Sequence, residues 1–237
     1  MIGPAGPNDA AMFDIDDTLF PTSQFALQAR RDAVSAMVAT GLQFPEEIVL
    51  AELLEVITEF SSNYDHHFNK LLNRLDPKGE RHQNPALIVA AGVAAYHDSK
   101  FHNLRPFSDV IPLMEYIRAR GWLCGIVTQG WTTKQAEKLI RLGVVPYLDR
   151  DAIFISDTIG INKPNPKLYQ LAARSLDLVP SQVMYVGDNP DHDLAPALKL
   201  GMAAVWAKRS SKWQGDDVDA THIVDDFVEL REILEGY

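Results

Sequence analysis

The sequence predicts an α/β fold, a central parallel sheet with helices on its faces and an inserted all-helical module. Three observations carry this. Short apolar runs without alternation, such as Trp122 to Val127, suit strands covered on both faces. Helical patterns end at glycine just ahead of such runs, as at Arg120-Gly121 and Leu200-Gly201, where glycine supplies the left-handed cap. One long stretch, residues 21–103, has apolar residues at helical spacing and no convincing strand.

Taken in order, strands are expected at Ala10 to Asp14, Trp122 to Thr128, Ala152 to Ser156, Val183 to Gly187 and Ala203 to Trp206, with a short sixth at His222 to Val224. Helices are expected between them at Ser108 to Arg120, Thr132 to Leu142, Pro166 to Leu176, Asp191 to Leu200 and Asp226 to Leu234. Helix alternating with strand means parallel pairing. Inside the insertion, Val49, Leu53, Val56, Ile57 and Phe60 fall on one helical face, as do Phe68, Leu71, Leu72 and Leu75. Residues 1–20 with 104–237 therefore form the core, and residues 21–103 a second domain that interrupts it after the first strand. An insert there is expected over the carboxyl ends of the strands, where open α/β sheets bind ligands, and so to act as a lid.

Charge and composition narrow the partners. The chain has 237 residues, 46% apolar and 23% charged, the make-up of a globular protein. Its formal charge of -10 argues against nucleic acid and against an anionic membrane surface, both of which need a positive footprint. The longest apolar run, Ala86 to Ala95, is too short to span a bilayer, and the first seven residues read as a loose leader rather than a signal peptide. The single cysteine, Cys124, sits in an apolar run, excludes an internal disulfide and favours a cytoplasmic home. A cysteine phosphatase holds phosphate with an arginine six residues on; here that residue is Gly130. Cys124 is expected to be a buried core side chain. Monomer and homodimer are both compatible with the apolar positions of the insert.

Four segments carry the chemistry. Ala11-Met12-Phe13-Asp14-Ile15-Asp16-Asp17-Thr18 runs an apolar strand into three carboxylates. Carboxylates crowded at a strand end repel one another unless a cation compensates, and a divalent metal is the simplest compensation. A calcium loop of the helix-loop-helix kind is excluded, because the glycine at loop position six is missing from Asp14 and from Asp188 alike. Val127-Thr128-Gln129-Gly130 closes the second core strand with a hydroxyl and a run of amides suited to phosphate oxygens. Asn162-Lys163-Pro164 places a lysine after the third strand, and Val186-Gly187-Asp188 through Asp193 ends the fourth with acidic residues. All four strand ends should meet at one edge of the sheet.

The ordered set Asp14-x-Asp16-x-Thr18, Thr128, Lys163 and Gly187-Asp188-x-x-x-x-Asp193 resembles the four motifs of the haloacid dehalogenase superfamily, across nearly the whole chain from Ala11. The resemblance implies a Rossmann-like core, and the helical insert looks like that superfamily's first class of cap domain. Within it, the segments Ser62 to Phe68, Ala95 to Phe101 and Leu104-Arg105-Pro106 look like an archaeal branch of glyceraldehyde 3-phosphate phosphatases. Two positions depart from the usual pattern: Gln129 stands where asparagine is common, and so does His192.

By this resemblance the chain is a magnesium-dependent phosphatase of small phosphate monoesters, sugar or triose phosphates. Asp14 is the nucleophile that forms an aspartyl phosphate, and Asp16 protonates the leaving alkoxide and later takes a proton from water. Dehalogenating members lack the Asp16 carboxylate, so its presence implies phosphoryl transfer. Magnesium is implied on the side chains of Asp14 and Asp188 and the backbone carbonyl of Asp16. Thr128, Gln129 and Lys163 are the implied phosphate binders. Asp193 either reaches the ion through water or positions Lys163, and Thr18 braces the first loop. Five of the seven histidines lie in the insert; Asn63, His67 and Lys100 are the cap candidates for substrate contact. Three alternatives stay open: a nucleoside monophosphate phosphatase, a sugar phosphomutase with the same motifs, and a non-catalytic binding scaffold.

Overall fold

The computed structural model describes residues 9–61, 64–81, 84–210, 213 and 218–236, without the side chains of 100–103 and 210. The chain divides into two compact units, Met1–Thr22 with Arg105–Tyr237, and Ser23–Leu104.

The first unit is built on six parallel strands: β1 (Ala10–Phe13), β2 (Leu123–Thr128), β3 (Ile153–Ile155), β4 (Val183–Gly187), β5 (Ala203–Ala207) and β6 (His222–Val224). Their order across the sheet is β3-β2-β1-β4-β5-β6. The first three strands in sequence thus lie on one side of the switch point and β4 to β6 on the other, the arrangement that opens a crevice beyond the carboxyl ends of β1 and β4. Register aligns Phe13 with Ile126 on β2 and with Val186 on β4, so Asp14, Val127 and Gly187 come next on the same level. Met12, Leu168, Tyr169, Tyr185 and Trp206 belong to one buried core of this unit. Cys124 is fully buried, and burial pushes its thiol up to about 12. It is the inert core residue expected.

Helices of the chain are α1 (Thr22–Ala39), α2 (Glu46–Phe60), α3 (His67–Leu75), α4 (Pro85–Asn103), α5 (Val110–Ala119), α6 (Thr132–Leu142), α7 (Ser156–Ile159), α8 (Pro166–Ser175), α9 (Ala195–Lys199) and α10 (Phe227–Glu235). Asn84 caps α4 by accepting from the amides of Ala86 and Leu87, and Asn165 caps α8 by accepting from Lys167. The second unit contains α2 to α4 with most of α1 and, among the described residues, no strand. Val34, Met37, Val49, Leu53 and Leu71 form its own buried core, which is what the helical periodicity requires. No described helix is long and apolar enough to cross a membrane.

Two elements differ from expectation. Ser156 starts the short helix α7 instead of ending β3. The helix expected over Asp191 to Leu200 is a π-helical turn, Pro190–Leu194, followed by α9. Pro196 is the reason: it has no N–H for the carbonyl of residue 192. The hydroxyl of Tyr169 donates to that His192 carbonyl instead, at 2.6 Å.

Candidate active site

Asp14 leaves β1 with its amide donating to the Val186 carbonyl at 2.9 Å, so its backbone is still part of the sheet. The chain then turns sharply. Asp17 takes a left-handed conformation at φ 56°, which aspartate tolerates better than most residues. Its amide donates to Thr22 Oγ1 at 3.1 Å, and the Leu19 amide donates to the Ile15 carbonyl at 3.0 Å. This turn offers Asp14 and Asp16 from one loop.

Lys163 lies at the centre. Its ammonium donates to Asp14 Oδ1 at 2.6 Å, Asp193 Oδ1 at 2.7 Å and the Tyr185 hydroxyl at 2.7 Å. Those three bonds use all the protons an ammonium has. Lys163, Asp14 and Asp193 are each more than nine-tenths buried. Burial works to lower the Lys163 pKa, but Asp14 and Asp193 outweigh it and hold the group well above its ordinary value. Lys163 is therefore a fixed positive charge inside the fold.

Asp14, Asp188 and Asp193 each offer a carboxylate oxygen within 4.8 Å of the others. One lysine does not balance three acids. Burial, with Asp14 and Asp193 beside it, pushes Asp188 up to about 8, and burial with Asp193 and Asp16 pushes Asp14 up to about 6. Oxygen donors, excess negative charge and close approach suit a hard divalent cation. These carboxylates can hold a metal ion.

Thr128, at the end of β2, is 1% exposed and its Oγ1 has no hydrogen-bond partner among the described residues. A buried unpaired hydroxyl costs about 1–3 kcal/mol, a cost that an incoming oxyanion removes. The next loop is pinned from β3: Ser156 Oγ accepts from the Gly130 amide at 3.1 Å, and Asp157 accepts from the Thr132 amide at 3.0 Å.

A family model described as haloacid dehalogenase-like hydrolase matches residues 11–207. The chain belongs to this family. It is 43% identical to the glyceraldehyde 3-phosphate phosphatase of Methanopyrus kandleri, over 95% of either chain. It is 36% identical to the enzyme of the same name from Methanothermobacter thermautotrophicus, over 95% of this chain and 99% of that one. Among solved structures, a HAD phosphatase from Thermococcus onnurineus superposes with a TM-score of 0.66 at 25% identity, over 96% of this chain and 98% of that one. The α/β, Rossmann-like fold expected from the sequence, with its phosphatase chemistry, agrees with these relatives.

In this haloacid dehalogenase-like hydrolase, Asp14, Lys163, Asp188 and Asp193 come together as the motif order implied. Asp193 Oδ1 accepts from Lys163 at 2.7 Å, and its Oδ2 accepts from the Asn189 amide at 3.0 Å. Asp16 is held apart from the lysine–carboxylate cluster by other donors: Lys138 to both its oxygens at 2.7 and 2.6 Å, and the Thr22 hydroxyl at 2.8 Å. Gln129 exposes its side chain and uses its carbonyl to accept from Gln135 Nε2 at 2.9 Å. The Gly130 amide, expected among the phosphate donors, is committed to Ser156 instead. Thr18 is fully buried, and its hydroxyl has no hydrogen-bond partner among the described residues.

Among the cap candidates, His67 Nε2 donates to the Ser61 carbonyl at 2.7 Å, within α3 and the segment before it. Asn63 and the side chain of Lys100 lie outside the described residues. Sequence reasoning missed Tyr185, Lys138 and Gln135. Tyr185 reads as one more apolar strand residue. Gln135 and Lys138 read as the polar face of a helix, although their spacing of three already put them side by side.

Proposed function

We propose that this chain is a magnesium-dependent phosphatase of small phosphate monoesters, with triose or sugar phosphates such as glyceraldehyde 3-phosphate as its substrate class. The observation that carries the reading is the buried triad of Asp14, Lys163 and Asp193. It supplies a carboxylate oxygen 2.6 Å from a permanent cation, with a third acid, Asp188, whose carboxylate oxygen lies within 4.8 Å of those of Asp14 and Asp193. The names of the full-length relatives support the substrate class.

Asp14 and Asp188 are the side chains that would hold magnesium, with the Asp16 carbonyl. Bound there, the ion supplies positive charge between an anionic nucleophile and an anionic ester. Asp14 attacks phosphorus in line, forming an acyl phosphate as the ester P–O bond breaks. Asp16 gives its proton to the departing alkoxide. In the second step Asp16 takes a proton from water, water oxygen bonds to phosphorus, and the Asp14–phosphorus bond breaks. The Thr128 hydroxyl is available to donate to the oxygens of the transferring group, while Lys163, its protons engaged, acts on them through its charge. Residues 23–104 stand as a cap module in this reading, inserted into the chain directly after the loop of Asp14 and Asp16. A reducing, cytoplasmic setting suits a chain whose single cysteine is buried.

The test is phosphate release from a panel of triose, sugar and nucleoside monophosphates, with magnesium and with a chelator. Free phosphate from triose or sugar phosphates is expected, lost with chelator and lost in Asp14→Asn. Turnover that persists in a verified Asp14→Asn preparation would remove Asp14 as nucleophile. Conversion of a sugar phosphate to its isomer with little free phosphate would make the chain a mutase.

A further inference from the structure

We propose that Lys138 is a positioning residue that fixes the Asp16 carboxylate for proton transfer to the leaving group. This rests on the phosphatase reading above. Lys138 lies in the second turn of α6, and its ammonium reaches Oδ1 of Asp16 at 2.7 Å and Oδ2 at 2.6 Å. Its side chain is 20% exposed and that of Asp16 32%. An exposed pair of this kind contributes little; this one is more than two-thirds enclosed and engages both oxygens.

Two further donors close around the same carboxylate. Thr22 Oγ1 donates to Oδ1 at 2.8 Å, and Gln135 Nε2 stands 3.4 Å from Oδ2. Gln135 is one turn before Lys138 on the same helix and is 4% exposed; its amide also donates to the Gln129 carbonyl. The helix begins two residues after Gly130. One rigid element thus joins the strand end of Thr128 to the group that meets the leaving oxygen.

A carboxylate on a loop turns freely about two bonds, and proton transfer needs one orientation within hydrogen-bond reach of its target. Lys138 and Thr22 remove that freedom. Oδ2 is the oxygen left for the ester: beside Lys138 it has only Gln135 at 3.4 Å, whereas Oδ1 has Lys138 and Thr22 at 2.7 and 2.8 Å. Lys138 itself touches neither substrate nor phosphorus in this proposal.

The experiment reads single-turnover ester cleavage in the full chain with magnesium, on an alkyl phosphate such as glycerol phosphate and on para-nitrophenyl phosphate. Nitrophenolate departs without a proton, whereas an alkoxide needs one. Lys138→Met is expected to slow alkyl ester cleavage about tenfold or more, with KM within about threefold and a much smaller effect on the nitrophenyl ester. Lys138→Arg, which keeps a cationic donor, should recover most of the rate. In an Asp16→Asn background, Lys138→Met should add nothing further. Equal slowing of both esters by Lys138→Met, or losses that add to those of Asp16→Asn, would overturn the proposal, and so would an Arg variant as slow as Met. Alkyl cleavage unaffected by Asp16→Asn would instead sink the acid role of Asp16, and the role of Lys138 with it. Matching thermal midpoints for the Met and Arg variants separate an altered site from a lost fold.

Discussion

The hydroxyl of Tyr185 accepts from the Lys163 ammonium at 2.7 Å and donates to the Val127 carbonyl at 2.9 Å. Tyr185 is in the middle of β4, fully buried, with its ring packed edge-on against Tyr169 at 4.9 Å. It thereby ties the lysine to the strand that ends in Thr128. Tyr185→Phe keeps the ring and deletes both bonds. It is expected to cost about 1–3 kcal/mol of stability, since two buried polar groups lose a partner. With Lys163 freed to move, kcat/KM should fall roughly tenfold, equivalent to about 1.4 kcal/mol of transition-state stabilisation. Urea unfolding and steady-state kinetics on the same preparation check both numbers, and a fully active Phe variant would show that Asp14 and Asp193 hold the lysine unaided.

Stability without metal should fall as pH rises. Asp188 is raised from 3.8 to about 8 by burial, Asp14, Asp193 and Asp17, and Asp14 from 3.8 to about 6 by burial, Asp193 and Asp16 against the pull of Lys163. Between about pH 4 and pH 8 the folded chain keeps protons that the unfolded chain has released. Stability from these groups is therefore complete below the ordinary carboxylate range and lost as pH climbs to about 8. A divalent cation replaces those protons, so magnesium should raise the thermal midpoint more at pH 8 than at pH 5. Thermal melts with magnesium and with chelator at both values test this. A chelated protein that gains stability from pH 5 to pH 8 would contradict it.

The fold was legible because parallel strands buried on both faces must be apolar throughout, and five such runs fall where β1 to β5 lie, whereas the edge strand β6, His222-Ile223-Val224, is only partly buried. The acids and Lys163 were legible because charge at the end of an apolar strand is costly without a purpose. Tyr185 and Lys138 were hidden for opposite reasons. A tyrosine in a core strand is ordinary, and only the third dimension shows its hydroxyl 2.7 Å from a lysine 22 positions earlier. A lysine on a helix is equally ordinary, and the separation of 122 positions between Asp16 and Lys138 leaves no local trace of their pairing. The break before α9 was legible in principle from Pro196, but not the compensation by Tyr169.

Gly187 should tolerate no side chain. A Cβ there would stand 2.5 Å from Cγ and Oδ2 of Asp193, so alanine must push the carboxylate that Lys163 binds. Overpacking of this kind costs about 1–3 kcal/mol. Here it should also lower kcat by an order of magnitude or more, because the displaced carboxylate carries the Oδ1 that accepts from Lys163. Gly125 is the comparison: its Cβ would meet Met12 Sδ and the Ala152 carbonyl at 2.5 Å, within the sheet and away from the acids. Gly125→Ala should lose stability while its folded fraction keeps kcat. Equal kcat losses in the two variants would mean that Gly187 matters only for packing.

The largest single loss of stability away from the acids is expected at Arg209. Its Nη1 donates to Asp109 Oδ1 at 2.7 Å, with side-chain exposures of 8% and 12%. The guanidinium lies 4.6 Å from the Phe107 ring centre and 4.0 Å from that of Phe227. Its Nε and Nη2 have no acceptor among the described residues, so the ring faces supply the remaining compensation. Asp109 Oδ2 accepts from the Phe227 amide at 2.8 Å, joining the starts of α5 and α10. Removing one charge strands the other in a dry setting, which costs about 3–5 kcal/mol. Arg209→Met should therefore destabilise by that amount in urea unfolding. Adding Asp109→Asn to it should restore part of the loss, since asparagine still accepts from Phe227 but leaves no buried charge. A double variant as unstable as the sum of the singles would show that the pair acts through packing of the arginine alone.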